Sequence, residues 1–360
     1  MSKIRIGLTG GGTAGHVTPN IALLNILYAN NWEVDYIGSQ NGVEKKMIQA
    51  IEVPYYQVRS GKLRRYFSWQ NFLDPFNLLI GIVQSYFLLK KLELDIVFSK
   101  GGFVALPVVI ASYMRRIPVV IHESDMTPGL ANKLSFPFAS KICVNFAATK
   151  KYIKNGDKVD VTGTPIRAEL FKGIKEKGLQ LCGFNDALPV LLVVGGSLGS
   201  KIINNAIRES LTELLKKYQV MHICGKNNID PDLENRRGYK QIEYANSEMA
   251  DLFSAADIVV SRSGANFLCE LLALHKPHVL IPLSSRSSRG DQIYNADYFA
   301  KEGISIVIPE EELNHISLFN ALQECQQNSA KAIKIMEKLG VVSASEKIFK
   351  ILTDLVADRA

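Results

Sequence analysis

Two segments of the sequence run from an apolar strand into a glycine-rich turn and then into a helix. In the first, residues 4–9 lead into Gly-Gly-Gly-Thr-Ala-Gly-His at 10–16, and in the second, residues 189–194 lead into Gly-Gly-Ser-Leu-Gly-Ser at 195–200. A strand, a glycine loop and a helix in this order open a Rossmann-like domain. Two such openings, about 185 residues apart in a chain of 360 residues, therefore predict two domains of this kind.

The rest of the chain alternates β-branched runs with helical segments. Such runs occupy residues 34–38, 95–98, 118–121 and 141–144 in the first half, and 220–224, 258–260 and 278–281 in the second. This alternation is typical of doubly wound parallel sheets, so we expect an α/β fold. Gly163 and Pro165 punctuate the chain between the halves, and the expected domains are residues 1–163 and 164–340.

The composition indicates a globular protein inside the cell. Hydrophobic residues make up 47% and charged residues 21% of the chain, as in ordinary soluble domains. The five cysteines lie far apart without a C-x-x-C pair, which disfavours a disulfide framework or structural zinc. No signal-peptide segment is evident, and the longest apolar stretch, residues 76–89, is shorter than the ~20 residues that span a bilayer.

Positive charge is concentrated in the first half. The net charge is +7, and residues 1–160 carry 19 Lys and Arg against 11 Asp and Glu, whereas the remaining 200 residues carry 23 against 24. We therefore expect the first half to meet an anionic membrane surface or phosphate groups. Nucleic acid is the weaker alternative, because no helix-turn-helix, RNP, KH or zinc pattern accompanies the charge.

Residues 62–91 indicate how the first half would meet a membrane. Residues 62–76 interleave basic residues with aromatic ones, which suits a lipid headgroup layer. The aromatic candidates for lipid contact are Tyr66, Phe67, Trp69, Phe72 and Phe76. An apolar helix follows and ends at Lys90 and Lys91. Its candidates for the core are Leu78, Leu79, Ile82, Val83 and Tyr86, and we expect most of these five side chains to pack there.

The first glycine loop is a candidate substrate site. Backbone N–H groups at the end of a strand can face an anion, and glycine permits close approach. The loop lacks the lysine of a P-loop, and a dinucleotide fingerprint would require Glu33 or Asp35 as its ribose-binding acid. His16 follows the loop where a substrate would lie, so we interpret it as functional rather than as a helix-capping histidine.

The second half offers a nucleotide site of the same kind. The amides and Ser197 of the second loop suit a phosphate, with close strand–helix packing as the alternative reason for its glycines. Ser263 is expected to cap the helix that follows strand 258–260, where small residues let a diphosphate approach. Glu270, about two turns into that helix, suits the hydroxyls of a ribose, and a solvated helix face is the alternative.

Seven motifs, in order along the chain, resemble the MurG family, the peptidoglycan N-acetylglucosaminyltransferases that make lipid II from lipid I. They are Gly-Gly-Thr-Ala-Gly-His at 11–16, Ser-Lys-Gly-Gly-Phe-Val at 99–104, His-Glu-Ser-Asp at 122–125, Gly-Thr-Pro-Ile-Arg at 163–167, Gly-Gly-Ser-Leu-Gly at 195–199, Ser-Arg-Ser-Gly-Ala at 261–265 and Asp-Gln-Ile-Tyr-Asn-Ala at 291–296. Each motif is generic, whereas the ordered set is specific. Two positions depart from the family: Ala14 replaces a usual glycine and Asp125 a usual asparagine.

The resemblance implies a GT-B fold, in which two Rossmann-like, doubly wound parallel-sheet domains face each other across a cleft. Domain 1–163 would bind the acceptor and the membrane, with a C-terminal helix at 341–360 packed back on it, and domain 164–340 would bind the donor. The implied partners are UDP-N-acetylglucosamine (UDP-GlcNAc), the lipid-linked acceptor lipid I, an anionic membrane and other cell-wall synthesis proteins. The protein would act peripherally at the cytoplasmic face of the inner membrane, in cell-wall biogenesis and hence in cell shape and division.

The resemblance also implies site residues. Ser197 would touch the donor diphosphate, Arg167 would contact the donor, and Glu270 would hold the ribose. The backbone of Tyr244 and Ala245 would read the uracil. Gln292 and Asn295 would read the sugar hydroxyls. The full donor-binding set is Thr13, Ala14, Gly15, Asp125, Arg167, Ser197, Ala245, Ser263, Gly264, Ala265, Asn266, Phe267, Leu268, Cys269, Glu270, Gln292 and Asn295.

The implied reaction transfers GlcNAc to the C4 hydroxyl of the muramoyl sugar with inversion, which requires a base. His16 is the first candidate, followed by Asp125 and Glu123. Because helix N-termini and loop amides can stabilise the leaving diphosphate without a metal, we expect no metal and no cofactor. The alternatives are a UDP-GlcNAc 2-epimerase, a related lipid glycosyltransferase with another acceptor, and a non-enzymatic UDP-sugar-binding scaffold.

Overall fold

The structure is a computed structural model that describes residues 3–61, 70–154, 156–196, 198–286 and 288–359, with the backbone alone for residues 70–73. The chain forms two compact units. Unit 1 comprises residues 1–166 and 343–360, and unit 2 comprises residues 167–342.

Each unit contains one parallel sheet. Unit 1 has strands β1 Arg5–Thr9, β2 Glu33–Gly38, β3 Tyr55–Gln57, β4 Ile96–Ser99, β5 Val119–Glu123, β6 Lys141–Val144 and β7 Val159–Val161, in the order β3-β2-β1-β4-β5-β6-β7. Unit 2 has β8 Val190–Val194, β9 Gln219–Ile223, β10 Tyr239–Ile242, β11 Ile258–Ser261, β12 His278–Leu280 and β13 Ser305–Val307, in the order β10-β9-β8-β11-β12-β13. In both sheets the strand order reverses beside the first strand, which creates a topological switch point between β1 and β4 and another between β8 and β11.

Helices alternate with these strands. They are α1 Thr18–Ala29, α2 Val43–Gln49, α3 Gln70–Leu92, α4 Ala105–Met114, α5 Leu130–Ser135, α6 Lys175–Cys182, α7 Lys201–Glu209, α8 Leu211–Leu214, α9 Met249–Ala255, α10 Ala265–Ala273, α11 Asp291–Lys301, α12 His315–Leu339 and α13 Ser345–Ala357. Local sequence sets several of their ends. The side chain of Asn314 caps α12 by accepting the N–H groups of Ile316 and Ser317, and Gly340 ends α12 in the left-handed region at φ 58°.

The sheet of unit 1 is covered on both faces. Alternate residues of a strand point to opposite faces, so Val97 joins one core while Ile96 and Phe98 join the other. Residues of α4 pack on the first face, and residues of α1 and α13 pack on the second. The C-terminal helix α13 thus contributes Ile348 and Leu352 to the core of unit 1.

The core of unit 2 follows the same rule. Leu191 and Val193 of β8 and Val260 of β11 pack against α7, α8 and α12, and Leu318 and Leu322 of α12 are buried against them. Both units are therefore doubly wound α/β domains, as the sequence predicts. The five cysteines, Cys143, Cys182, Cys224, Cys269 and Cys325, are buried as free thiols.

One face of α3 is apolar and exposed, which contradicts part of the sequence analysis. Most of the five residues Leu78, Leu79, Ile82, Val83 and Tyr86 were expected to pack into the core, but Leu79 and Val83 are 59% and 55% exposed and the other three are half-buried. With three further exposed residues, Leu79 and Val83 form the α3 stripe, which consists of Phe76, Leu79, Ile80, Val83 and Phe87. The spacing follows the helical period, so these side chains share one face. Gly81, Ser85 and Leu89 occupy the buried side instead.

None of the described helices combines the length and the hydropathy needed to span a membrane. Tyr66, Phe67 and Trp69 lie outside the described residues, as does the side chain of Phe72.

Candidate active site

The site of unit 1 is built at the switch point between β1 and β4. The loop after β1 contacts the loop after β4, where Gly11 N–H donates to the carbonyl of Gly101 across 3.3 Å. Ligands of doubly wound sheets bind in such crevices outside the carboxyl ends of the strands. Thr13, Ala14, Gly15 and His16 therefore stand at the expected binding edge of unit 1.

The amides of the first glycine loop do not form an empty anion cradle. The N–H of Gly12 donates to the buried carboxylate of Glu44 across 3.1 Å, and the N–H of Gly11 is occupied by Gly101. For Gly11 and Gly12 the expectation that the amides face a bound anion is wrong, because Gly101 and Glu44 of the same unit accept these two N–H groups. For the rest of the loop it stays a prediction. The sequence analysis did not identify Glu44 as a functional residue. The one available signal was its position shortly after the end of a strand.

His16 ends a short 3₁₀ turn, Ala14–His16, and its ring orientation is defined by the loop before it. Its Nδ1 lies 2.8 Å from the carbonyl oxygen of Gly11 and 3.5 Å from the hydroxyl of Thr13. A carbonyl only accepts hydrogen bonds, so Nδ1 carries the proton in the neutral ring and Nε2 carries the lone pair. This is the tautomer that a base acting through Nε2 requires.

Glu123 and Asp125 follow β5, and the two residues have different roles. Glu123 is buried, and its carboxylate accepts hydrogen bonds from Asp125 N–H, Gly129 N–H and the amide of Asn132, each across 2.9 Å. Asp125 is half-buried. Burial and three hydrogen bonds make Glu123 a support of the loop that carries Asp125, so we do not retain it as a base.

A buried lysine connects these loops, and sequence reasoning did not single it out although it lies in a quoted motif. Lys100 Nζ donates to His122 Nδ1 across 2.7 Å and to Ser124 Oγ across 2.5 Å. His122 Nε2 lies 2.7 Å from the carbonyl of Gly163, which fixes its tautomer. Burial, and then the charge of Lys100, lower the pKa of His122 well below its usual range, so this histidine is a neutral support.

In unit 2 the loops after β8 and β11 flank the second switch point. Ser197, the predicted diphosphate contact, lies outside the described residues. The predicted capping role of Ser263 is wrong. Gly264 is the N-cap of α10, and the hydroxyl of Ser263 donates to the carbonyl of Gln292 across 2.8 Å. The small residues Gly264 and Ala265 thus begin α10, where backbone N–H groups suit a phosphate.

Gln292 and Asn295 lie together beside the start of α10. The side-chain oxygen of Gln292 accepts the N–H of Leu283 across 3.1 Å. Asn295 is fully buried, and its amide donates to the carbonyl of Ser263 across 3.1 Å. Asn295 therefore supports the turn before α10, and its contact with sugar hydroxyls stays a prediction.

Glu270 and Arg167 form a largely buried ion pair in unit 2. Arg167 Nη2 lies 3.5 Å from Glu270 Oε1, and the carboxylate side chain is 9% exposed. Burial raises the pKa of Glu270, and the neighbouring guanidinium opposes this rise. A buried carboxylate is suited to accept hydrogen bonds from paired hydroxyls.

The remaining predicted donor residues differ in exposure. Asn266 and Phe267 are half-buried, and the ring of Phe267 packs against Phe253 with centroids 5.5 Å apart. Leu268 and Cys269 are buried in the core, so a donor could meet only their backbone. Tyr244 is exposed and the adjacent Ala245 is buried. The described residues contain no cluster of His, Cys, Asp and Glu suited to a metal ion.

Two Rossmann-like units, one with a helix start suited to a diphosphate and one with a histidine-bearing glycine loop, are typical of nucleotide-sugar enzymes with a GT-B fold. The comparisons give the family. The model of the glycosyltransferase family 28 N-terminal domain matches residues 6–144, and that of the glycosyltransferase family 28 C-terminal domain matches residues 190–350. The chain belongs to glycosyltransferase family 28.

Curated relatives match both units. A protein of Legionella pneumophila (strain Lens), named UDP-N-acetylglucosamine--N-acetylmuramyl-(pentapeptide) pyrophosphoryl-undecaprenol N-acetylglucosamine transferase, is 55% identical over 349 residues, which cover 97% of this chain and 96% of the relative. A protein of the same name from Clostridium botulinum (strain Alaska E43 / Type E3) is 54% identical over 352 residues, 98% of each chain. The crystal structure of Acinetobacter baumannii MurG shares the fold, with a TM-score of 0.75 and 22% identity over 98% of this chain and 99% of that one.

Proposed function

We propose that this protein transfers GlcNAc from UDP-GlcNAc to the C4 hydroxyl of the muramoyl sugar of lipid I and thereby makes lipid II for peptidoglycan. The observation that carries the proposal is 55% identity, over 97% of the chain, to a relative named for this transfer. The matched region extends through both units, so it spans both candidate half-sites. The reaction inverts the anomeric centre and is a step of cell-wall biogenesis.

Unit 2 is the proposed donor unit. The two hydroxyls of the ribose would donate to the carboxylate of Glu270, with Arg167 beside it as a further donor contact. The diphosphate would bind at the start of α10, around Gly264 and Ala265, where the helix dipole favours negative charge. Ser197 would contact the same diphosphate, the backbone at Ala245 would read the uracil, and Gln292 would read the sugar.

Unit 1 is the proposed acceptor unit, with His16 as the base. The acceptor oxygen attacks the anomeric carbon, its proton passes to Nε2 of His16, and the bond from that carbon to the diphosphate oxygen breaks. UDP leaves with the electron pair. The support for His16 is its tautomer, because Nδ1 donates to the carbonyl of Gly11 across 2.8 Å. Asp125 is the second candidate for this role.

The leaving UDP carries the negative charge that develops in the transition state. Backbone N–H groups at the start of α10 would stabilise that charge without rearrangement, because the helix already holds them in place. These N–H groups supply the stabilisation that a metal ion would otherwise give, so we propose that the reaction uses no metal and no cofactor. A chelator should therefore leave the rate unchanged.

We further propose that unit 1 binds the anionic surface of the bilayer that holds the acceptor, at the cytoplasmic face. The support is the α3 stripe together with basic residues at one end of α3 and of the neighbouring α4. Lys90 and Lys91 end α3, and Arg115 and Arg116 follow α4. Arg115 lies 5.0 Å from the ring centroid of Tyr86 on α3, so the two basic ends adjoin. Apolar side chains bordered by cations suit an anionic interface.

The decisive experiment supplies radiolabelled UDP-GlcNAc with and without a synthetic lipid I analogue. The proposal expects labelled disaccharide-lipid only when the analogue is present, and equal amounts of released UDP. A 2-epimerase, the alternative class from the sequence, would instead convert UDP-GlcNAc alone. Conversion without acceptor, or transfer to a different lipid acceptor in preference to lipid I, would overturn the proposal. A heat-denatured sample of the protein serves as the inactive control.

A further inference from the structure

We propose that Glu44 is a positioning residue for His16 and that it acts through the peptide unit that joins Gly11 to Gly12. This inference rests on the proposed function in one respect only, the use of His16 as the base. It adds an acid that neither the family motifs nor the donor site include. Glu44 lies in the first turn of α2, Val43–Gln49, and its side chain is fully buried.

The carboxylate of Glu44 is the acceptor in each of its hydrogen bonds. Its Oε2 accepts the N–H of Gly12 across 3.1 Å. Its Oε1 accepts the N–H of Ser39 across 3.1 Å and the hydroxyl of Ser39 across 2.5 Å. The carboxylate accepts all three hydrogen bonds, and hydrogen bonds to a carboxylate are about twice as strong as those between neutral groups.

The link to His16 runs through one planar group. The N–H of Gly12 and the C=O of Gly11 belong to the same peptide unit, so an acceptor that fixes the N–H also fixes the direction of the carbonyl. That carbonyl oxygen lies 2.8 Å from Nδ1 of His16. The carboxylate also polarises the amide, which strengthens the hydrogen bond that the carbonyl accepts. The sequence of contacts is therefore carboxylate, peptide, imidazole.

This arrangement has the logic of an acid that orients a catalytic histidine, with a peptide unit placed between the two side chains. The carbonyl of Gly11 holds the proton on Nδ1 and so keeps the lone pair on Nε2. Without Glu44, the Gly11–Gly12 peptide could rotate, and the tautomer and orientation of His16 would no longer be fixed. The expected consequence is a lower kcat with no change in how unit 2 binds the donor.

Two glycines leave the space that the carboxylate occupies. A Cβ on Gly11 would lie 2.5 Å from Cδ of Glu44, and a Cβ on Gly42 would lie 2.0 Å from its Oε1. A side chain at either position would displace the carboxylate of Glu44 from its hydrogen bonds. The glycine at 11 is therefore explained by a buried acid of the protein itself and does not require a bound phosphate.

The first test measures the tautomer of His16 in the unaltered protein by ¹⁵N NMR. The His16→Ala variant identifies the resonances of His16 by their loss. The proposal expects a protonated Nδ1 and an unprotonated Nε2 in the wild-type protein, and a loss of this single tautomer in Glu44→Gln. A wild-type spectrum with the proton on Nε2 would overturn the proposal, whatever the variants do.

The second test is a double-mutant cycle on kcat. Glu44→Gln should lower kcat about 10- to 100-fold, as removal of an orienting partner commonly does, and leave the KM for UDP-GlcNAc unchanged. In the His16→Ala background the same change should have an effect below about twofold, because its route is already absent. Equal losses in both backgrounds would show a role that does not involve His16 and would overturn the proposal.

Asp35→Asn is the matched control, because Asp35 is also a buried acid of unit 1 but pairs with the Arg5 side chain across 3.1 Å. It should leave the His16 tautomer unchanged. Should Glu44→Gln fail to fold, Ser39→Ala retains the Gly12 contact and is expected to keep the wild-type tautomer. Failure of the proposed function is distinguishable, since a fully active His16→Ala variant would reject His16 as the base, while the NMR measurement would still test the Glu44 contact.

Discussion

The guanidinium of Arg262 forms a buried ion pair with the carboxylate of Glu310. The same guanidinium donates to the carbonyl of Ile281 across 3.0 Å and to the hydroxyl of Ser200 across 2.8 Å. Glu310 in turn accepts the N–H of Ser284 across 3.2 Å. One side chain thus joins the segments that follow β8, β11, β12 and β13, which include both loops at the switch point of unit 2.

Removal of one partner of this pair should be costly. Arg262→Ala leaves the Glu310 carboxylate buried without its cation, and we expect a loss of about 3–5 kcal/mol in the free energy of unfolding. Lys216→Ala is the control, because Lys216 and Glu213 form an exposed pair, with 65% and 59% of the side chains accessible, and should cost less than about 1 kcal/mol. Urea unfolding measures both, and similar losses in the two variants would contradict the assignment of Arg262.

Glu270 should make the stability of the protein depend on pH in a defined direction. Burial raises its pKa above the ordinary value, so the folded state holds this proton more tightly than the unfolded state. Between the ordinary and the raised pKa the folded protein binds more protons, and stability therefore falls as pH rises through that interval. Glu270→Gln should remove this decrease. The measurement is the free energy of unfolding as a function of pH. Parallel curves for the wild type and the variant over this interval would contradict the prediction.

The same carboxylate should determine nucleotide affinity. Glu270→Ala removes a charged acceptor for the ribose hydroxyls, and we expect weaker UDP binding by roughly 1.5–3 kcal/mol, measured by calorimetry. Glu234→Ala, which alters an exposed acid of the same unit, should bind UDP as the wild type does. Unchanged UDP affinity in Glu270→Ala would show that Glu270 does not bind the ribose.

Much of the fold could be predicted from the sequence, because the buried parallel strands correspond to short runs of β-branched residues. The predicted strands at 34–38 and 258–260 correspond to β2 Glu33–Gly38 and β11 Ile258–Ser261. The site was harder to predict. The contact between Glu44 and Gly12 joins residues 32 positions apart, and it exists because β2 pairs with β1. Strand order is a property of the whole sheet, so no local pattern indicates that contact.

The error on α3 has a different cause. Leu79 and Val83 are as apolar as core residues, and hydropathy alone assigns them to the interior. Which face of a helix is buried depends on its neighbours, and here α3 packs on α4 through the side that carries Gly81 and Leu89. A Cβ on Gly81 would collide with the carbonyl group of Arg59 and would lie 3.2 Å from Cβ of Pro107 in α4. The small residue permits this close approach, and the stripe is left on the other face.

His16 should affect the chemical step alone. His16→Ala is expected to lower kcat by about 10²–10⁴-fold, the usual contribution of a general base. The KM for UDP-GlcNAc should change little, because the ribose, diphosphate and uracil contacts proposed for the donor lie in unit 2. His315→Ala, which removes an exposed histidine at the start of α12, is the control and should be fully active. A near-normal kcat in His16→Ala would transfer the role to Asp125.

The α3 stripe gives the last prediction, on membrane binding. Each fully buried Leu or Val side chain contributes about 1.5–3 kcal/mol when it leaves water, and each nearby cation adds about 1 kcal/mol on an anionic surface. The double change Leu79→Glu and Val83→Glu removes the apolar contribution and adds repulsion from anionic lipid. We therefore expect this variant to remain in the supernatant when phosphatidylglycerol vesicles are sedimented, with unchanged UDP affinity.

Ile316→Glu is the matched control, since Ile316 is 59% exposed and belongs to unit 2. The wild type should bind less as salt increases, because the Debye length shortens. Equal sedimentation of wild type and double variant would show that the stripe does not contact lipid.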